Sequence, residues 1–276
     1  MIVDSHVHFW KYDKKRDAWI TNRMKILQQD YLPEHLITTL KRNGIDAVVA
    51  VQADQSELET HFLVEMSRTH DFIKGVVGWI DLQHENISER LEYFSQYSVI
   101  KGWRHIVQSE EDDFMYQDAF RNGITALQTY NYTYDILIYH PQLKAAVDLV
   151  IAFPEQEFII DHCAKPGIRE KKIEEWKIYI KEVAQNPNVN CKLSGLLTEA
   201  AWKNWTPAQF YPYLDVVFEA FGTDRLLYGS DWPVLLLSGA YVQWKSLLGK
   251  YMENFKEEDR LKIFGLNAIQ FYNLQV

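Results

Sequence analysis

The sequence predicts a (β/α)8 barrel, an α/β fold, as a single domain over residues 1–276. Three observations carry this. Short runs rich in Val and Ile occur eight times, segments of helical periodicity fall between most of them, and polar residues collect where the runs end.

The eight runs span Ile2 to His8, Asp46 to Gln52, Ile73 to Ile80, Val99 to Ile106, Tyr134 to His140, Glu157 to Cys163, Asn188 to Leu193 and Arg225 to Ser230. After the first run comes WKYDKKRDAWITNRMKILQQD, which has no clean periodicity and carries Trp10, Tyr12, Trp19 and Met24. A connection this long is usually functional or disordered, and its aromatics argue against disorder, so it is read as a lid over the barrel mouth. The first helix opens near Pro33, places Leu36 and Leu40 on one face and stops at Gly44. Ser56 and Glu59 have capping-box spacing ahead of the second. The stretch from Ser109 to Tyr130 is only weakly patterned. Later helices read from PQLKAAVDLVIAF, KKIEEWKIYIKEVAQ, PAQFYPYLDVVFEAF, GAYVQWKSLLGKY and EEDRLKIFGLNAIQFY. Alternating strands and helices imply parallel strands, and eight such units imply closure. No linker or repeat marks a second domain.

A net charge of -9 argues against nucleic acid or an anionic membrane as partner. The one basic cluster, Lys11, Lys14, Lys15 and Arg16, reads as a solvated loop. No basic segment followed by an apolar stretch opens the chain, and no run approaches the length of a membrane helix. The expectation is a cytoplasmic protein. Cys163 and Cys191, each in a strand-like run, suit buried reduced thiols. The aromatics of the last helices offer a face for a homodimer.

In the opening MIVDSHVHFW, side chains two apart on a strand point the same way, so His6 and His8 share a face while Val3 and Val7 take the other. Alone, such a pair is more often hydrogen-bonded at the core edge. Likewise a lone Asp231 would be a helix cap, and a lone His162 a satisfied interior histidine. Together they form one constellation about the barrel axis, since His6, His8, His162 and Asp231 all come from strand ends. Imidazoles and a carboxylate suit zinc or a similar ion, and a carboxylate beside water is a general base.

Across nearly the whole chain the sequence resembles the amidohydrolase superfamily, and within it the amidohydrolase-related group that contains sugar-lactone hydrolases acting on L-fucono- and L-rhamnono-lactones. The resemblance rests on DSHVHFW, ETHFLVEMSRTHDFIKGVVGWIDL, KGWRHIVQ, YDILIYHPQL, DHCAKP, CKLSGL and YGSDWPV. It implies metal-binding positions at His6 and His8, a site role for His162, and Asp231 as the residue that takes a proton from the attacking water. Two-metal relatives bridge their ions with a modified lysine ending strand four. That strand here ends in Arg104 and His105, which implies at most one divalent metal, zinc first, and one that is dispensable in some lactonases of this kind.

Opening a lactone requires an activated water, a polarised carbonyl and a proton for the departing alkoxide. Asp231 is the expected base. Arg104, facing inward by parity, is the expected oxyanion stabiliser, or else is salt-bridged to a barrel carboxylate. His162 shares the polarising work. His105 has the opposite parity, and only the resemblance gives it a substrate-binding role. Gln52, Trp79, Lys165, Trp232, Trp19 and Met24 are the further candidates for contacts to a hydroxylated ring. Two other readings remain open here: a metal-dependent decarboxylase of an unsaturated or aromatic acid, which would want more cations at the mouth, and a non-catalytic sugar-acid binder, which would not need Asp231.

Overall fold

The computed structural model describes residues 1–276. Eight strands form one parallel sheet in sequential order: β1 (Val3–Val7), β2 (Ala47–Val51), β3 (Ile73–Gly78), β4 (Ile100–His105), β5 (Thr133–Ile136), β6 (Phe158–Ile160), β7 (Val189–Leu193) and β8 (Leu226–Tyr228). A Val7–Trp232 bridge joins the first strand to the segment after the last, and Ser5 Oγ donates to the Tyr228 carbonyl at 2.7 Å. The barrel is thus nearly closed.

Around it lie α1 (Pro33–Arg42), α2 (Glu57–Thr69), α3 (Ile87–Ser95), α4 (Asp118–Thr129), α5 (Leu143–Ala152), α6 (Glu174–Val183), α7 (Leu196–Glu199), α8 (Tyr211–Phe221), α9 (Tyr241–Tyr251), α10 (Glu257–Leu261) and α11 (Asn267–Phe271). Pro33 opens α1 as expected, and Gly44 beyond its end is left-handed. Only half of the expected capping box forms. Ser56 Oγ accepts from Glu59 N–H at 3.2 Å, but the Glu59 carboxylate accepts instead from the backbone N–H groups of Ala53 and Asp54 and so ties down the turn after β2.

The expected single C-terminal helix runs on from α10 to α11 through a π turn at Lys262–Leu266. Gly265 sits there because any Cβ would lie 2.2 Å from the Met1 carbonyl oxygen. Helix α3 had no marked signal in the sequence. Strands β5, β6 and β8 end sooner than expected. After β5 a 3-10 turn at His140–Gln142 takes over, with Pro141 unable to donate to a ladder.

Two apolar regions fill the fold. The larger lies between strands and helices and includes Val7, Trp103 and Trp244. The smaller plugs the barrel bottom with Val3, Val49, Val51, Val77, Ile159 and Leu227, sealed by Tyr272 and Leu274 from the C-terminal segment. Val3 and Val7 therefore do not share a face. The β1–β2 register shifts between Asp4 and Val7, and this bulge turns His6 to the same interior that Val3 fills lower down.

No helix is long and apolar enough to cross a membrane. Both cysteines are free and buried. The segment after β1 is closed at its neck by reciprocal Trp10–Tyr31 backbone bonds of 2.9 Å, holds a short 3-10 stretch at Asn22–Leu27, and packs Trp19 edge-on against Trp10.

Candidate active site

Above the apolar plug the barrel interior is charged. Arg104 (β4), Asp135 (β5), Asp161 (after β6), Lys192 (β7) and His6 (β1) are all essentially inaccessible. Lys192 Nζ pairs with Asp135 and lies 3.0 Å from Asp161 Oδ1, while Tyr272 donates to Asp135 from below at 2.9 Å. Arg104 Nη1 donates to Asp161 Oδ2 at 2.9 Å, and Nη2 donates to the carbonyl and, at 3.1 Å, the Oε1 of Gln52. Buried charges persist only when paired in this way. Burial pushes Asp161 up, but Lys192, His6 and Arg104 outweigh it and hold this carboxyl well below the usual range. Burial drives Asp135 up to about 6 despite Lys192.

Next come the histidines. His6 Nε2 lies 3.1 Å from His8 Nε2, and Asp231 Oδ1 lies 3.3 Å from His8 Nε2 and 3.9 Å from both His6 Nε2 and His162 Nε2. A strand could direct only one of Asp161 and His162 inward. Both arrive because the chain from His162 to Lys165 is left-handed, with φ from 47° to 57° at four consecutive non-glycine residues. Each such residue costs roughly 1–2 kcal/mol, and strain of this kind gathers at functional sites. Asp231 is left-handed too, φ 61°. His162 Nδ1 and Ser194 Oγ are 2.8 Å apart. Its ring lies so close to Gly195 that a Cβ there would come within 2.5 Å of Cγ, at a φ of 67°. Gly195→Ala should therefore displace His162 and lower kcat/KM about 100-fold in a folded protein; an unchanged rate would show that the ring position is not needed.

The donor set suits a divalent cation. His8 Nδ1 faces the Val51 carbonyl at 2.8 Å, so this nitrogen carries the proton and His8 Nε2 is bare. Asp161 Oδ1 is buried and accepts no hydrogen bond of good geometry, yet it lies 3.4 Å from His6 Nδ1. His6 Nδ1 also lies 3.2 Å from the Lys192 ammonium, which can only donate, so His6 Nε2 is a metal-binding nitrogen only in the tautomer that puts the ring proton on Nδ1 toward Asp161, the carboxylate–histidine arrangement typical behind metal ligands. In that tautomer His6 Nε2, His8 Nε2 and Asp231 Oδ1 converge, with an Arg104 Nη1 N–H 3.3 Å from His6 Nε2. Tetrahedral zinc ligands are about 3.3 Å apart, close to the spacings found. His6, His8 and Asp231 form one candidate ligand group, with His162 adjacent. Burial holds His6 well below the ordinary imidazole range against the pull of Asp161, and lowers His162 to about 4, so both rings are neutral at pH 7. Asp231 is raised by burial but lowered more by His162 and His8, so it stays ionised.

Over this floor opens a cavity of about 200 Å³. Of the residues singled out from the sequence, His8, Arg104, His162, Lys165 and Asp231 line it, with Trp10 and Trp19 from the segment after β1. His6 lies beneath, in contact with its floor. The other substrate-binding candidates do not line it. His105 points to the helical layer, as its parity required, stacked on Phe114 at 4.6 Å and 2.8 Å from Glu110. Trp79 lies behind it and donates to its Nδ1 at 3.3 Å. Trp232 packs between Phe9 and Tyr31, Gln52 is committed to Arg104, and Met24 packs against the core from its 3-10 stretch. Gln108, the last residue of KGWRHIVQ, and Ser109 line the wall as well, although the sequence had marked neither as a substrate contact. Lys165 Nζ donates to Gln108 Oε1 at 2.6 Å and sits 5.1 Å over the Tyr139 ring.

A family profile described as amidohydrolase matches residues 3–274. A protein from Burkholderia multivorans named L-fucono-1,5-lactonase is 34% identical over 99% of this chain and 96% of its own length. One of the same name from Burkholderia ambifaria is 31% identical over 99% and 95%. A crystal structure of an amidohydrolase from Burkholderia multivorans with bound zinc superposes with a TM-score of 0.96, at 34% identity and over 100% of both chains.

Proposed function

The chain belongs to the amidohydrolase family, and on that premise we propose that it hydrolyses a sugar lactone, a deoxy-sugar aldonolactone of the L-fucono type first, to the free sugar acid. One observation supports this most: an ionised, buried Asp231 beside His8 and the neutral rings of His6 and His162, at the base of a cavity whose remaining walls are part polar and part aromatic. The cavity is smaller than the ~300–1,000 Å³ that holds drug-sized ligands, which suits a single sugar ring. Gln108, Ser109 and Lys165 supply directional partners for ring hydroxyls, while Ile106, Leu137, Val234 and Trp19 suit its apolar edges and methyl group.

In the proposed reaction Asp231 accepts a proton from water as that water adds to the lactone carbonyl. The oxyanion forms near Arg104. Two of its guanidinium nitrogens are engaged by Asp161 and Gln52, but its Nε–H is buried and has no partner within the protein. With no accessible surface on that atom, what Arg104 offers the developing charge is its fixed positive field from the cavity wall. Asp231, now protonated, returns its proton to the ring oxygen as the C–O bond breaks. His6, His8 and Asp231, with His162, would hold a single divalent ion, zinc first, which when bound supplies Lewis acidity at the carbonyl. The segment between Phe9 and Tyr31 is proposed as the lid, with Trp19 as the part that touches the ring. A homodimer and a cytoplasmic location complete the proposal, supported only by the last helices' aromatics and by the acidic, membrane-span-free chain.

The decarboxylase reading has less behind it, since the relatives with full-length similarity above 30% carry lactonase names. Hydrolysis in 18O-water separates the two: a lactonase places one label in the product carboxylate and releases no carbon dioxide. Carbon dioxide from an aromatic acid, with no label taken up from any lactone, would replace this proposal.

Neutral His162 also dictates a pH dependence. Protonation places a positive charge on His162, 3.9 Å from Asp231 Oδ1, and weakens Asp231 as a base, so activity falls as pH drops toward the His162 value of about 4 and is level from there to neutrality. Initial rates between pH 4 and 7, where lactones hydrolyse slowly unaided, should show an acid limb low in that window. A limb centred near 6.5, the ordinary imidazole value, would contradict it.

A further inference from the structure

We infer that Arg104 is a built-in competitor of the divalent metal, setting how weakly this site holds its ion. Its Nη1 lies 3.3 Å from His6 Nε2, the nitrogen through which His6 would bind a cation with His8 and Asp231. That nitrogen has one lone pair. A guanidinium N–H and a metal ion are therefore alternative occupants of it, and the two cations repel.

Arg104 cannot step aside cheaply. Its fork is gripped by Asp161 Oδ2 at 2.9 Å and by the carbonyl and Oε1 of Gln52, and the Gln52 amide returns a bond to the Arg104 carbonyl at 3.1 Å. Loading a metal through His6 must break the Arg104–His6 contact while these bonds persist or rearrange. Charge balance points the same way. The buried groups around the site are Arg104 and Lys192 against Asp135, Asp161 and Asp231, which sum to -1 when ionised. Without Arg104 the sum is -2, the complement of a divalent ion. The fold thus places a compensating charge, Arg104, within reach of a metal ligand, where a dedicated metal cage would have none. The site is built for an exchangeable metal.

This rests on the metal site proposed above and not on the identity of the substrate. Zinc affinity, measured by competition with a colorimetric chelator, tests it without any assay of turnover. Arg104→Gln should bind zinc at least about tenfold more tightly than the unmodified protein, the scale on which groups behind metal ligands act. Arg104→Lys, which keeps the charge, should stay near the unmodified value. Equal or weaker binding by Arg104→Gln, or equally tight binding by both variants, overturns the inference. If Arg104→Gln does not fold, crystal structures of the unmodified protein with chelator and with zinc decide. Arg104 Nη1 should leave hydrogen-bond range of His6 Nε2 when zinc is held there; zinc on His6 with that contact intact overturns the inference. Zinc bound by neither the variant nor the unmodified protein removes the metal site itself, a result distinct from equal binding.

Discussion

Asp231→Asn should lower kcat for lactone hydrolysis by about 10³-fold or more, while the sugar-acid product still binds. The side chain is nearly isosteric and its backbone is held by a 2.9 Å bond from Asp231 N–H to the His6 carbonyl and by Leu235 N–H at 2.9 Å, so the turn should survive. What disappears is the charge that His162 and His8 stabilise and the lone pair that receives the water proton. Product binding by calorimetry and single-turnover rates read the two effects separately. Loss of both together would make Asp231 a binding or structural group, and loss of neither would return the chain to the class of non-catalytic binders.

The largest stability effect should come from Lys192→Met. Lys192 is fully buried, pairs with Asp135 and sits 3.0 Å from Asp161. Arg104 still covers Asp161, but Asp135 keeps only the Tyr272 hydroxyl. Removing one partner of a buried pair leaves an uncompensated charge and costs about 3–5 kcal/mol, visible as a lower midpoint in urea. Adding Asp135→Asn to Lys192→Met should restore at least half of the loss, because the second charge goes too. A single variant within about 1 kcal/mol of the unmodified protein would mean that water reaches this layer.

The barrel was legible because its strands are written in Val and Ile and its helices in spaced apolar residues. The convergence of His6, His8, His162, Arg104 and Asp231 was legible for a related reason, since each stands at a strand end. Other features had no such signature. Lys192, in CKLSGL, looks like any alternating residue of a strand, and only the three-dimensional pairing with Asp135 and Asp161 explains its burial. Asp161 was hidden by the parity rule itself. The left-handed run from His162 to Lys165 contains no glycine to announce it, so the sequence reads as a strand continuing to Cys163. The bulge in β1 misled in the same way, assigning Val3 and Val7 to one face. The substrate contacts fared worst. Trp79, Trp232 and Met24 are large residues near the mouth that pack against the protein instead, whereas Gln108 and Ser109 follow a strand as ordinary loop residues and reach the cavity. Parity did place His105 correctly, against the role that resemblance implied.

The most direct test of the account is proton release, followed with a pH indicator, from freshly prepared L-fucono-, L-rhamnono-, L-galactono- and D-arabinono-lactones, with and without chelator. Fast release is expected from the stereochemical group that includes L-fucono-lactone, with a slower rate in chelator if the proposed metal takes part. No release from any of the four, with the protein folded and zinc supplied, would contradict it.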